Sequence, residues 1–294
     1  MMALTFPGWR WTALAGILLV TALLMTVLSK SFVYGVGHAE RPITQFIAIY
    51  GAWWAAFAGS FWMLKCSREK PGLPFIVAVA IVLRVILFTS DLIQENDVYR
   101  YVLDGQVLLH GGNPYEFSPL EVSENGTPEF RASLNSEKAQ TVINRIGYPA
   151  IPTVYPPAAQ LAFAAGSAVG GWSWIGQRVV FATVDLLLIG VLIYLGKVLV
   201  VPSYWLLLYA WNPLVLKEVT NSTHLDVLVA FFIILLVAAI SLFSSTGSKV
   251  WIGVAAFAWG MAVLTKVYPV ILGPACLDWL YKREKGLWHL CLLY

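Results

Sequence analysis

Long apolar runs alternate with short polar stretches along most of this chain. Eight such runs fall at 11–29, 46–64, 74–90, 176–196, 202–217, 226–243, 250–266 and 268–281. Most match a bilayer's hydrocarbon core of ~30 Å at about 1.5 Å per helical residue. The pattern predicts an all-α polytopic membrane protein, a bundle of about eight transmembrane helices. Between the third and fourth runs it changes. Residues 91 to about 175 are mostly polar and predict one large outer loop with juxtamembrane helices.

The loop has its own internal pattern. Residues 95–109 fit an amphipathic helix, with Asp97, Arg100, Tyr101 and Asp104 on one face and Val98, Val102 and Leu109 away from it. Gly111-Gly112-Asn113-Pro114 ends that helix. Residues 118–140 are polar and irregular and are expected to form a mobile excursion. Residues 156–171 are apolar, short and rich in Ala and Gly. Tyr155-Pro156-Pro157 sets their entry, since two prolines fix φ and favour an extended residue before them. Counting this segment as a span inverts everything after it. It is therefore expected to be an interfacial or re-entrant helix of the loop.

Composition agrees with a membrane setting. The chain of 294 residues is 59% hydrophobic and 12% charged, against about 25% charged in soluble domains. A net charge of +3 is too small to argue for nucleic-acid binding. Arg10, Lys65, Arg68, Lys70, Lys197, Lys249 and the cluster Lys282, Arg283, Lys285 all fall inside when the N-terminus is cytoplasmic, leaving 91–175 outside. No small-x-small cleavage site follows the first run, which reads as an uncleaved anchor. Cys66, Cys276 and Cys291 lie in or near the cytoplasmic side, so no disulfide framework is implied. Sequons at Asn125 and Asn221 matter only in a secretory compartment. P-loop, GxGxxG, zinc-spacing and Ser–His–Asp patterns are missing, which argues against an ATP-driven pump or a soluble nucleotide-sugar domain.

Charge then points to chemistry. The loop holds nine of the sixteen acidic residues. Arg84, Arg178, Lys217 and Lys266 depart from the inside-positive pattern and fall at one depth beside it. Each alone can snorkel to headgroups, but four together predict a site for a lipid-linked phosphate. Asp97 is the candidate general base, and Glu95 can orient it, bind acceptor hydroxyls or hold a metal. The bland alternative for these acids is a solvated charge or a salt bridge to Arg100. His224 and Asp226 fit either a helix cap or the site. Asp185, in the middle of a span, reads as structural and needs a partner. Asn212-Pro213 reads as a kink that frees a carbonyl.

The order of motifs is itself informative. Glu95-Asn96-Asp97-Val98-Tyr99-Arg100-Tyr101 precedes Gly112-Asn113-Pro114-Tyr115, Tyr155-Pro156-Pro157, Asn212-Pro213-Leu214, His224-Leu225-Asp226 and Lys266-Val267-Tyr268-Pro269. Over residues 84–281 the chain resembles the GT-C integral-membrane glycosyltransferases. The nearest types are bacterial polyprenol-phosphate-mannose-dependent mannosyltransferases and the catalytic subunit of GPI mannosyltransferase I. The resemblance implies inverting transfer of a hexose, most directly mannose, from a polyprenyl-phosphate sugar. It also implies an acceptor that is a glycan or glycolipid at the outer or lumenal face, in a bacterial plasma membrane or the endoplasmic reticulum. Glu95 and Asp97 match the family's D-x-D-like pair, Lys266 and Tyr268 its K-x-Y-P element, and Arg178 a basic position of the GPI-type enzymes.

Arg100, Tyr101, Asp104, Asn113, Tyr115, Tyr155, His224, Asp226 and Tyr268 are then expected at the substrate. Membrane lipid is the other expected partner. No cofactor is expected, except that a divalent cation can be considered at Glu95 and Asp97. Residues 1–73 form two extra N-terminal helices, 74–281 the GT-C-like module, and 282–294 a cytoplasmic loop with the start of a further span. Family members run longer, so the chain is expected to be C-terminally incomplete. The competing expectation is a non-catalytic truncated membrane protein or a lipid-phosphate-binding subunit.

Overall fold

The structure is a computed structural model that describes residues 8–35 and 37–283. The expected further span in 288–294 lies outside them. The helices in chain order are α1 (Trp9–Ser29), α2 (Ile43–Cys66), α3 (Leu73–Phe88), α4 (Asp97–Leu109), α5 (Pro119–Asn125), α6 (Pro128–Ser133), α7 (Glu137–Asn144), α8 (Pro157–Gly170), α9 (Trp174–Val198), α10 (Leu207–Ala210), α11 (Pro213–Val215), α12 (Asp226–Thr246), α13 (Val250–Thr265) and α14 (Gly273–Arg283). No strand occurs among the described residues.

Four helices, α1, α2, α9 and α12, are long and apolar enough to cross a membrane. The apolar α3 and α13 are shorter, at 16 residues each, or about 24 Å. Two of the eight expected spans are not single helices. The run at 202–217 breaks into a 3-10 turn at Ser203–Leu206, α10, α11 and a π-helical segment at Leu216–Asn221. Its cause is Pro213, which lacks an N–H, together with Asn212, whose Oδ1 accepts from Leu214 N at 2.9 Å. The run at 268–281 divides into a 3-10 turn at Tyr268–Leu272 and the 11-residue α14.

The proline break solves a second problem. With Leu214 N capped by Asn212, the Ala210 carbonyl is left over, and Arg84 Nη1 donates to it at 2.8 Å. Arg84 also grips Asp185 through Nε (2.5 Å) and Nη2 (3.2 Å), and Tyr209 Oη donates to Asp185 at 2.6 Å. Asp185 thus has its partner, one the sequence did not name. A charge in an apolar bundle is tolerated when paired and fully hydrogen-bonded.

The polar loop is folded rather than mobile. Residues 118–144 form α5, α6 and α7, each opened by its own N-cap. Ser118 and Glu121 make a capping box, Thr127 Oγ1 accepts from Phe130 N, and Ser136 Oγ accepts from Ala139 N. Val122, Phe130, Leu134, Ala139 and Val142 are buried beneath them.

Helix α4 is also unlike its expected amphipathic form. Val98 through Val107 are all buried, charged residues included. It lies against α8, and Gly105 makes this possible, since a Cβ there would fall 2.3 Å from the Phe163 carbonyl. Helix α8 in turn packs on α9 where Gly166 faces Gly176, a Cβ on the latter falling 2.1 Å from the Gly166 carbonyl. At 14 residues, α8 spans about 21 Å, too short to cross a bilayer unaided.

Candidate active site

Two short segments meet at the end of the bundle where α3 and α13 finish and α9 and α12 begin. One is residues 89–96, the other residues 221–225. Asn221 stitches them. Its Nδ2 donates to Ser90 Oγ at 2.8 Å and the Asp91 carbonyl at 2.7 Å, and its Oδ1 accepts from Ile93 N at 3.3 Å. This side chain is fully buried, so the sequon at Asn221 is closed to glycosylation in the folded chain.

Both segments carry a non-glycine residue in the left-handed region, Gln94 (φ +55°) and Thr223 (φ +61°). For a buried β-branched threonine this is costly, and it persists only where the surroundings impose it. Arg178 imposes it. Its guanidinium donates to the Phe88 carbonyl (2.8 Å), the Ser90 carbonyl (2.6 Å), the Asn221 carbonyl (2.5 Å) and Thr223 Oγ1 (3.2 Å). Its flat face lies 4.4 Å from the Trp174 ring centroid. Arg178 therefore fixes the two segments that present Glu95 and His224.

What they present is a chain of alternating charges. Glu95 Oε1 accepts from Asp97 N at 2.7 Å, and Oε2 meets His224 Nε2 at 2.8 Å. On the imidazole's other side, Nδ1 lies 3.5 Å from Asp226 Oδ2, an ion-pair contact without a hydrogen bond. Asp226 receives Lys266 Nζ at 2.7 and 2.9 Å. Glu218 closes the cluster, 3.7 Å from His224 and 3.0 Å from Lys217. Burial opposes charging of the His224 imidazole, but Asp226, Glu95 and Glu218 outweigh it and push its pKa up to about 10. It is therefore an imidazolium at neutral pH. Burial likewise opposes the Glu95 carboxylate, and the hydrogen bond and charge of His224 outweigh it, leaving its pKa lowered.

Asp97 stands at the edge of this chain, exposed, at the N-terminus of α4. It has no cationic partner within ion-pair distance among the described residues. Tyr155 Oη donates to its Oδ2 at 3.3 Å. Burial and then the Asp97 charge raise the pKa of the Tyr155 phenol, so it stays a donor. Tyr115 Oη reaches the Tyr155 carbonyl at 2.8 Å, and Asn113 Oδ1 caps the turn before it by accepting from Tyr115 N at 3.0 Å.

The other expected site residues divide. Tyr268 is exposed near Lys266. Tyr101 is 1% exposed and stacks on Phe163 at 4.3 Å, inside the core. Arg100 and Asp104 pair at 2.8 Å and are buried. Arg100 donates to the Ile151 carbonyl at 2.9 Å, and Gln160 donates to Asp104 at 3.1 Å. Burial raises the Asp104 pKa, with Arg100 opposing it. These two hold α4 to residues 151–153 and to α8.

The four cations do not meet at one phosphate. Arg84 and Arg178 have their donors committed to internal acceptors, while Lys217 and Lys266 pair with Glu218 and Asp226. Both Glu95 oxygens already take protein donors, and no group of three metal-ligating side chains occurs among the described residues. Glu218 and Asn221 were not singled out as site residues. They stand one on each side of Val219-Thr220, in the short turn after the expected span 202–217.

No protein-family model matches the chain, and neither a curated protein nor a solved structure does. The GT-C likeness thus remains a resemblance of motifs, and the chemistry of the site is argued from its own atoms.

Proposed function

We propose that the chain is a membrane glycosyltransferase of the GT-C type, using a polyprenyl-phosphate hexose, most directly mannose, at the outer or lumenal face. The observation that carries this reading is Asp97. In a cluster where Glu95, Glu218 and Asp226 each face a cation, Asp97 is an exposed carboxylate without one among the described residues, and the Tyr155 hydroxyl points at it. A general base needs an accessible oxygen and a free lone pair at the point of reaction.

The reaction balances on that residue. An acceptor hydroxyl oxygen attacks the anomeric carbon, and its proton passes to Asp97. The bond from that carbon to the phosphate oxygen breaks, and the polyprenyl phosphate leaves with the bonding pair. Attack opposite the leaving group inverts the centre. Glu95 and the His224 imidazolium hold the Asp97 turn in place, with Glu95 accepting from the Asp97 N–H.

The test is transfer from radiolabelled polyprenyl-phosphate sugars in membranes, comparing wild type with Asp97→Asn. The expected result is transfer of one hexose by wild type and none by the variant at equal expression. Full transfer by Asp97→Asn overturns the assignment. The internal commitment of Arg84 and Arg178 takes two expected cations away from a phosphate and favours one second reading, a non-catalytic membrane protein. Wild type that folds and transfers no hexose from any donor decides for that reading.

A further inference from the structure

A cavity of about 250 Å³ lies beside the Glu95–Asp97 turn, between residues 91–96 and the connection from α1 to α2. Three basic side chains from three places line it: Lys30 just after α1, Arg41 just before α2, and Arg145 at the C-cap of α7. Asp91 and Glu95 line it too, with Trp174 among its aromatic residues. The connection between the two N-terminal helices, outside the region of resemblance, thus supplies much of this wall.

One of these cations, Arg145, is held in place at the cavity wall. Arg145 Nη1 donates to Tyr99 Oη at 2.7 Å, and the guanidinium lies 4.9 Å from the Tyr34 ring and 5.4 Å from the Tyr99 ring. Tyr34 Oη donates to the Asn144 carbonyl at 2.9 Å, tying the α1–α2 connection to α7. Lys30 and Arg145 have no carboxylate within ion-pair distance among the described residues. Basic groups outnumber acidic ones in the lining, in a concave site with fixed walls. This is the arrangement that binds phosphate, through charge-assisted hydrogen bonds from a planar guanidinium and a mobile ammonium.

We infer that this cavity seats the phosphate of a glycosyl phosphate, with Lys30, Arg41 and Arg145 on the phosphate and Asp91 and Glu95 toward the sugar hydroxyls. The sugar part of this assignment rests on the transferase reading, whereas the phosphate part stands on the cations. The two N-terminal helices then belong to the substrate site.

The experiment is equilibrium binding of ³²P-labelled mannose 1-phosphate and ³²P-labelled farnesyl phosphate to the full chain in detergent. Wild type is compared with Lys30→Gln, Arg145→Gln and Asp97→Asn. Lys30 is exposed and unpaired among the described residues, so Lys30→Gln leaves the fold intact, which its elution and melting profile verify. Each of the two cation variants is expected to weaken binding about tenfold, one charge-assisted contact's worth, and added salt to weaken wild type. Sensitivity of both probes supports the shared phosphate chemistry. Sensitivity of farnesyl phosphate alone supports a lipid-phosphate seat, and of mannose 1-phosphate alone a sugar-phosphate seat. No binding by wild type, or equal binding by all variants, overturns the inference. Asp97→Asn is expected to bind both probes normally. Binding without transfer by wild type leaves the cavity assigned and removes the transferase reading. Transfer with an unchanged KM in Lys30→Gln and Arg145→Gln does the reverse.

Discussion

Two charged clusters in this molecule differ in what they leave over. In the middle of the bundle, Arg84 and Asp185 are 6% and 1% exposed at their side chains and pair at 2.5 Å. Tyr209 and the Ala210 carbonyl take part of the remaining hydrogen-bonding capacity. At the end of the bundle, Glu95, His224, Asp226 and Lys266 form a partly wetted chain, and Asp97 beside it lacks a cation among the described residues. The buried cluster is closed on itself, which suits a brace. The terminal one keeps an acid in reserve, which suits chemistry. Desolvation explains the difference, because an unpaired carboxylate costs several kcal/mol in an apolar interior and little beside water.

That contrast can be broken from either side. The largest expected effect is on activity. Asp97→Asn is expected to lower transfer by roughly 10²–10⁴-fold, the usual worth of a positioned base, with an unchanged melting temperature. A comparable loss of stability would instead make Asp97 part of the brace. On the buried side, Arg84→Met strands Asp185 and is expected to destabilise the fold by about 3–5 kcal/mol. Pairing it with Asp185→Leu is expected to restore most of this, as read by thermal unfolding in detergent.

The next effect is one of pH. His224 has a folded pKa of about 10, above its ordinary value of 6.5. Its contribution to stability is therefore complete below pH 6.5 and is lost as pH rises toward 10. Melting temperatures across that window are expected to fall more steeply for wild type than for His224→Gln; parallel curves would uncouple His224 from its carboxylates. The smallest effect is at Tyr155. Its 3.3 Å bond to Asp97 is long, and Tyr155→Phe is expected to change transfer by about two- to fivefold, in line with one ordinary hydrogen bond. A change of a hundredfold would give the phenol a larger part.

Local signals account for what the sequence revealed. The four long apolar helices, the stop at Gly111-Gly112, the short apolar α8 and the break at Asn212-Pro213 follow from neighbouring residues. The caps at Ser118, Thr127 and Ser136 are local as well, each before a Pro or Glu in the first turn, but the polarity of residues 118–140 predicts a mobile excursion and hides α5, α6 and α7. The pairing of charges was not legible. Arg84 finds Asp185 across 101 positions, and Arg178 finds the Ser90 carbonyl across 88. Nothing local tells a cation that awaits a phosphate from one that has taken a carbonyl. The burial of Tyr101, Arg100 and Asp104 has the same origin, since the face they share is covered by α8, which follows more than fifty residues after Asp104.

The Arg84–Asp185 distance along the chain also has a meaning in time. Synthesis adds about 5–20 residues per second, so the 101 residues between the two take roughly 5–20 s to emerge. Throughout that interval α3 carries a guanidinium whose carboxylate does not yet exist, a burden of about 2.5–3.5 kcal/mol on insertion scales. Helix α1, which packs on α3, is its available support until α9 arrives. Nascent chains stopped just short of Asp185 are expected to integrate α3 poorly, and chains extended beyond Ala210 to integrate it fully. The ion pair is in this sense a checkpoint on the order in which the bundle is assembled.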